Sequence, residues 1–363
     1  MTLRLTLYRA LALAAALLLA LLLLARAASA SYDPIGSGTA KLTLDKGFAK
    51  LLKQNGVRLK ARKGAQVKGS VVTLTAAGGK ADPTIKKAEI DLGGELIFAG
   101  ASKAVPLTKI TLKTQHTPVI ARVGGGQLKL LSASRVSLDR DGFGDRLRAT
   151  KLKLTAKFAQ RLNKRLQLDV FAAGQLLGTL DASAQPSTLA VLPGGAATVA
   201  IDPAFAAKLK AFSTSLNPIA PAELMPGPVL VLPISVEGTI APDGRSGTLR
   251  TAGSVEFLRL GAGQVFWPAT WLDLATGIAS AELDAEPAAT YGGKQGRVPI
   301  LDFPLAGALI ASDPAARTIT FSGAPVTLQA ASAELFNRAF AEGKAQFSPG
   351  ERLGTLSFTA QTQ

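Results

Sequence analysis

The sequence predicts a mainly β protein: two tandem β-rich domains, sandwich or barrel-like, each with two short α-helices. Three observations lead there. One unit of sequence occurs twice, apolar and polar residues alternate with period two through most of it, and each copy is interrupted by only two stretches of helical periodicity. The expected division is a signal peptide at residues 1–30, a first domain at 31–190 and a second at 191–363.

The repeat is read in order along the chain. Gly38 to Asp45 (GTAKLTLD), followed by Phe48, returns as Gly195 to Asp202 (GAATVAID), followed by Phe205. Gly94 to Phe98 (GELIF) returns as Gly253 to Phe257 (GSVEF). The KLTA beginning at Lys153, with Asn163 behind it, returns as TLQA at Thr327 with Asn337 behind it. Leu177 to Leu180 (LGTL) recurs unchanged as Leu353 to Leu356. Spacing widens between Phe257 and Thr327, so the second copy's main insertion is expected there, with FWPATW and the loop EPAATYGGKQGRVP. The join between copies is expected in the Gly/Pro/Ser-bearing stretch Ala184 to Gly194.

Within a copy, Lys41, Thr43 and Asp45 alternate with Leu42 and Leu44, the mark of a half-buried strand. Asp45 then caps a short helix whose apolar stripe is Phe48, Leu51 and Leu52; Asp202-Pro203 starts its counterpart. Strands are expected over 70–75, 85–91, 95–99, 107–113, 119–123 and 127–131, broken by Gly-Gly, Asp-Pro and Gly-Gly-Gly turns. A second helix over 156–166 buries Phe158, Leu162 and Leu166, and 332–340 repeats it with Phe336 and Phe340. Closing strands follow at 178–183 and 354–359. The helices are expected over sheet edges or barrel mouths.

Composition narrows the function. The 363 residues contain no Cys and one His, which excludes disulfides, thiol nucleophiles and Cys-ligated metals, and leaves little for acid–base or multi-His chemistry. No G-x-S-x-G, Walker, H-E-x-x-H or dinucleotide motif occurs. Enzymatic activity is not expected. The chain opens with Arg4 and Arg9, an apolar run from Ala10 to Ala25, and Ala28-Ser29-Ala30, the pattern of an export signal. That run is shorter than the roughly 20 residues of a membrane span, so cleavage is the expectation and an uncleaved anchor the alternative. No later stretch approaches a span. A secreted or envelope-associated location follows.

At this point the residues resemble a family, the HtaA-type domain of actinobacterial cell-surface haem-uptake proteins. The resemblance lies in the strand leading to a helix with Phe48 or Phe205, the G-x-x-x-F strand, the Leu-Thr-Ala helix and the closing strand, in both copies. It implies an exported, β-rich module with two helices, and haem held by a Tyr and a nearby His. The Tyr is expected on the first helix, where this chain has Leu51 and Leu52, or Lys208 and Leu209. The His is expected just after the G-x-x-x-F strand, where Ala101 and Ser102, or Leu260 and Gly261, stand instead. Neither ligand is present in either copy. The cofactor is therefore left open between haem and another apolar molecule. A structural or adhesive surface protein without a small-molecule ligand is the competing class.

The candidate cofactor-binding residues are His116, Tyr291, Trp267 and Trp271; no metal site is expected. His116 lies between two strands, as a turn residue or as a ligand. Phe266, Trp267, Trp271 and Tyr291 gather in the expected insertion, as a core cluster or as a greasy pocket for a porphyrin or lipid. Asp139, Asp141 and Asp145 around Gly142 read as a hairpin turn or a calcium loop. Residues 31–192 hold 27 Lys/Arg against 11 Asp/Glu, whereas 193–363 hold 11 against 14. Lys157, Arg161, Lys164 and Arg165 make one face of the second helix basic. The expected partner of this first domain is the anionic cell envelope, not nucleic acid, because no aromatic platform interleaves the charges.

Overall fold

A computed structural model describes residues 32–114, 119–282 and 297–363. The leader, His116 and Tyr291 lie outside the described residues. The first half runs β1 (Asp33–Leu44), α1 (Lys46–Gln54), β2 (Arg58–Arg62), β3 (Gln66–Lys68), β4 (Val71–Asp82), β5 (Lys87–Gly93) and β6 (Glu95–Ala99). It continues with β7 (Ala104–Lys113), β8 (Val119–Val123), β9 (Gly126–Ser132), β10 (Arg135–Asp141), β11 (Gly144–Leu154), α2 (Ala156–Leu166) and β12 (Leu176–Pro186). Antiparallel pairing runs β1, β4, β5, β7, β8, β9, β11, β12 and back to β1, so eight strands close into a barrel. Closure removes the open edges that a flat sheet of this length would present. Strands β2 and β6 extend from β7 as a flap, and β3 and β10 pair with β4 and β11.

The second half begins with β13 (Leu189–Ile201), α3 (Pro203–Ala211), β14 (Thr214–Ile219), β15 (Glu223–Met225), β16 (Val229–Ile240), β17 (Gly247–Thr251) and β18 (Ser254–Arg259). Next come β19 (Gly263–Trp267), β20 (Thr270–Asp273), β21 (Ile278–Glu282), β22 (Arg297–Asp302), β23 (Leu309–Asp313), β24 (Thr318–Leu328), α4 (Ala330–Phe340) and β25 (Arg352–Thr362). Pairing here closes through β13, β16, β17, β20, β21, β22, β24 and β25, again eight strands. Each half has its own buried core and two helices among the described residues. Of the two architectures expected, barrel-like closure is the one formed.

The recurring residues have physical reasons. On β1, Ala40 and Leu44 are buried while Lys41 and Thr43 face water, and Leu42 stands opposite Leu180 on one side and Val72 on the other. In the LGTL motif the backbones nearly touch: a Cβ on Gly178 would lie 1.9 Å from the Thr43 carbonyl oxygen, and one on Gly354 2.2 Å from that of Ala200. Only glycine fits there. Asp45 Oδ1 caps α1 by accepting from the Gly47 amide at 2.8 Å, and Asp202 Oδ1 caps α3 through the Ala204 amide at 2.9 Å.

Asn163 and Asn337 clamp matching loops. Each side-chain amide donates to a Phe carbonyl at 2.8 Å, Phe171 in one half and Phe347 in the other, and each Oδ1 accepts from that Phe and the residue before it. The clamped Phe packs on the first helix: the Phe48–Phe171 and Phe205–Phe347 ring centroids are both 6.2 Å apart.

Three local expectations change. Gly78-Gly79 does not break a strand but forms a bulge inside β4, where a Cβ on Gly79 would strike the Glu89 carbonyl at 2.1 Å. The join does fall within Ala184 to Gly194, at Ser187 and Thr188, but the rest of that stretch is strand, in β12 and β13. FWPATW is not inserted sequence. It forms β19 and β20, which together pair as β7 does in the first half, one with the flap and one with the barrel. Pro268, unable to donate to a ladder, falls at the break. Most of the extra length falls at 283–296, between β21 and β22, outside the described residues, and the rest in the longer connections at 303–308 and 314–317.

Candidate functional site

The barrel interiors are filled. Each encloses only about 40 Å³, in one half among Leu42, Leu74, Ile110 and Phe158, in the other among Val199, Leu230, Trp267 and Phe303. A ligand of drug or porphyrin size takes roughly 300–1,000 Å³, so it does not fit inside either barrel.

Room exists outside, beside the first helix of each half. A groove of about 540 Å³ lies between α1, β2 and β3, and one of about 400 Å³ between α3, β14 and β15. They match position for position: Leu44 with Ile201, Ala49 with Ala206, Leu52 with Leu209, Lys53 with Lys210, Leu59 with Leu216 and Val67 with Leu224. The amphipathic helix supplies one wall, because Leu52 and Leu209 face inward while Lys53 and Lys210 face water. The grooves differ in charge: Arg58 lines the first where Ser215 lines the second. At the edge of the second, Leu224 is 40% exposed.

The positions at which the family resemblance implies iron ligands fall around these grooves. Leu52 and Leu209 are in their walls. Arg58 pairs with Ala99 and Thr214 with Arg259, so the hairpin tips carrying Ala101 and Ser102, or Leu260 and Gly261, stand at the groove end of each flap. Leu260 is 86% exposed. Among the described residues no Tyr, His, Met or Cys lines either groove. Such a groove can bury an apolar face and pair an acidic group with Lys or Arg, but its walls offer no axial ligand.

The aromatic candidates do not form one cluster. Trp267 is in the second core, with its ring centroid 4.9 Å from that of Phe257 and 5.7 Å from that of Phe336. Trp271, past the Pro268 break, lies on the other face of the barrel wall, with the Arg250 guanidinium 5.3 Å and that of Arg297 4.6 Å from its ring centre. Phe266 is half-buried on β19. Four residues apart, the two tryptophans would share a face of one unbroken strand; the break at Pro268 and Ala269 shifts the alternation, so that Thr270 and Leu272 take the inward positions and Trp271 does not.

The Asp139–Asp145 segment is a hairpin: Gly142 and Phe143 turn β10 into β11, with Gly142 at φ +63°. No group of acidic or His side chains able to hold a metal occurs among the described residues. Asp145 points inward instead. Its Oδ1 lies 3.6 Å from Arg140 Nη1, which also pairs with Asp33, and both carboxylates are almost fully buried. Burial pushes Asp145 up to about 6 against the pull of Arg140 and Arg317, and it raises Asp33 as well. Asp82 adds a third buried acid, bound to the Thr84 and Ile85 amides.

This hairpin also joins the halves. Phe143 packs in the second core, and Arg317 Nη1 donates to the Gly142 carbonyl at 2.8 Å with its guanidinium 5.8 Å from the Phe143 ring centre. Sequence reasoning missed Arg317, Arg140 and Phe143, since only the fold brings residues 140–145 to residue 317.

No family model and no curated protein matches the chain. Among solved structures it is similar to the C-terminal domain of HtaA from Corynebacterium glutamicum, at 16% identity and TM-score 0.34, over 42% of this chain and 98% of that one. It is also similar to the N-terminal domain of the same protein, at 16% identity and TM-score 0.32, over 48% of this chain and 98% of that one.

Proposed function

We propose that this chain is an extracytoplasmic binding protein of the HtaA type. It holds an apolar, anionic molecule of about haem size in a surface groove beside the first helix of each half, and performs no chemistry on it. One observation carries this reading: the same groove, with the same apolar walls and the same Lys at its edge, is built twice from diverged sequence. The leader sequence supports export, and no helix among the described residues is long and apolar enough to cross a membrane.

Binding is then driven by burial of a flat apolar face, at roughly 25 cal/mol per Å² removed from water, with the acid group oriented by Lys53 and Arg58 or by Lys210. For haem this means hydrophobic retention without protein ligation of iron through the groove walls.

The test is an absorbance titration of the full chain with haemin, beside the variant A49W/A206W. Ala49 and Ala206 are half-buried groove residues on helices, where Trp fills the groove without entering the core. The parent should saturate with a Soret change, and the variant should bind at least tenfold more weakly with little change in Tm. Equal binding by both would move the site elsewhere. An absence of saturable binding by haemin and by a long-chain fatty acid would favour the structural or adhesive reading, to which the missing Tyr and His also point.

A further inference from the structure

Helix α2 carries Lys157, Arg161, Lys164 and Arg165 and no acidic residue. Among the described residues none of the four makes an ion pair. Like charges one helical turn apart weaken a helix, as at Lys157 with Arg161 and Arg161 with Arg165. The fold does not demand them. In the second half the corresponding positions of α4 are Ala331, Leu335, Arg338 and Ala339, and Arg338 is neutralised by Glu334.

Two of these cations are held in place. Arg161 is half-buried and its Nη2 donates to the Val123 carbonyl at 3.3 Å. A Cβ on Gly124 would lie 2.9 Å from Arg161 Nη2 and 3.2 Å from Arg165 Nη2, so both guanidinium groups converge over the β8–β9 turn. Between that hairpin and α2 lies a groove of about 360 Å³, with Val123 and Leu128 beside Lys157, Gln160, Arg161 and Lys164.

We propose that this groove seats a phosphate of a phosphodiester polymer, with Arg161, Lys157 and Lys164 on the phosphate oxygens and Val123 and Leu128 against the polymer's carbon backbone. A guanidinium fork matches phosphate oxygens geometrically, and the lysines add mobile positive charge. The groove is concave and supplies both a polar and an apolar wall, which suits a strand of polymer better than a flat bilayer. No aromatic side chain lines it to stack a base, which disfavours nucleic acid. The choice of a polymer outside the cytoplasm rests on the export reading above; the groove and its charges do not.

The probe is poly(glycerol phosphate), titrated into the full chain at several salt concentrations. K157Q/R161Q/K164Q should weaken binding tenfold or more and lower the slope of log K against log salt by about one, as expected when one phosphate is no longer neutralised. K157Q/K164Q, which keeps the Arg161–Val123 contact, should show most of that loss and guards against misfolding. A control with the same charge change at exposed Lys60, Lys68 and Lys87, each to Gln, should weaken binding less than threefold. An equal loss in the control, or none in the triple variant, overturns the proposal. So does binding to vesicles containing anionic phospholipid with no binding to the polymer, which would make the partner a membrane surface. Haemin binding by these variants should equal the parent's, so failure here and failure of the ligand grooves read out separately.

Discussion

Asp145 has been moved furthest from its ordinary behaviour. It is 3% exposed and faces Arg140 from β10, Arg317 from the turn before β24, Asp33 from β1 and Asp82 from the end of β4. Its pKa rises from the ordinary 3.8 to about 6 in the fold. The folded state therefore binds the proton more tightly. The stability this group contributes is complete below pH 3.8 and is lost as pH rises through about 6. Asp145→Asn removes that dependence. Melting curves across pH 4 to 7 should show the variant gaining on the parent as pH rises, by on the order of 2 kcal/mol. A gap between the two that stays constant with pH would contradict this account. Removing Arg140 acts the other way: Arg140→Ala leaves Asp33 and Asp145 buried without their nearest cation and should cost about 3–5 kcal/mol at pH 7. The sequence displayed these carboxylates as a cluster around a glycine but did not reveal which way they point. Alternation along β11 turns Asp145 inward, whereas Asp139 and Asp141 stay exposed.

At the scale of elements, the helices follow local chemistry closely. Caps at Asp45, Thr155 and Asp202, and apolar residues at helical spacing, place α1, α2 and α3 within a residue or two of where pattern reading puts them. What holds them down is less local. Asn163 and Asn337 were visible as repeated letters, yet their partners Phe171 and Phe347 follow at different separations, so no fixed motif exposes the pair. Asn163→Ala should lose three hydrogen bonds at once and cost roughly 2–3 kcal/mol, with faster amide exchange at Val170 and Phe171. Thr155→Ala, which removes the cap and the bond Thr155 Oγ1 donates to the Lys129 carbonyl at 2.7 Å, should cost about 1 kcal/mol and leave those amides protected. The reverse order would show that the Phe171 loop is held by packing alone. FWPATW misled for a related reason. A strand broken by Pro268 looks like added sequence until its pairing with the flap and the barrel is seen.

At the scale of the molecule, duplication was the most legible feature, because close-approach glycines, caps and clamps must recur wherever the barrel recurs. The joint between the halves was not legible. Phe143 enters the core of the second half, and Arg317 reaches back to Gly142, through contacts remote in sequence. Arg317→Ala should loosen this joint while leaving both barrels folded, so calorimetry should resolve two transitions where the parent shows greater overlap. Unchanged overlap would mean that strand continuity through Ser187 and Thr188 is enough to couple the halves. Each groove is built locally, from a helix and the two strands that follow it in the chain, and it is the duplication that places one in each half. A calorimetric titration of the full chain with haemin tests the central claim most directly. Two equivalents bound per chain, one after Ala49→Trp and none after A49W/A206W, is the predicted result; a single site indifferent to both substitutions would contradict it.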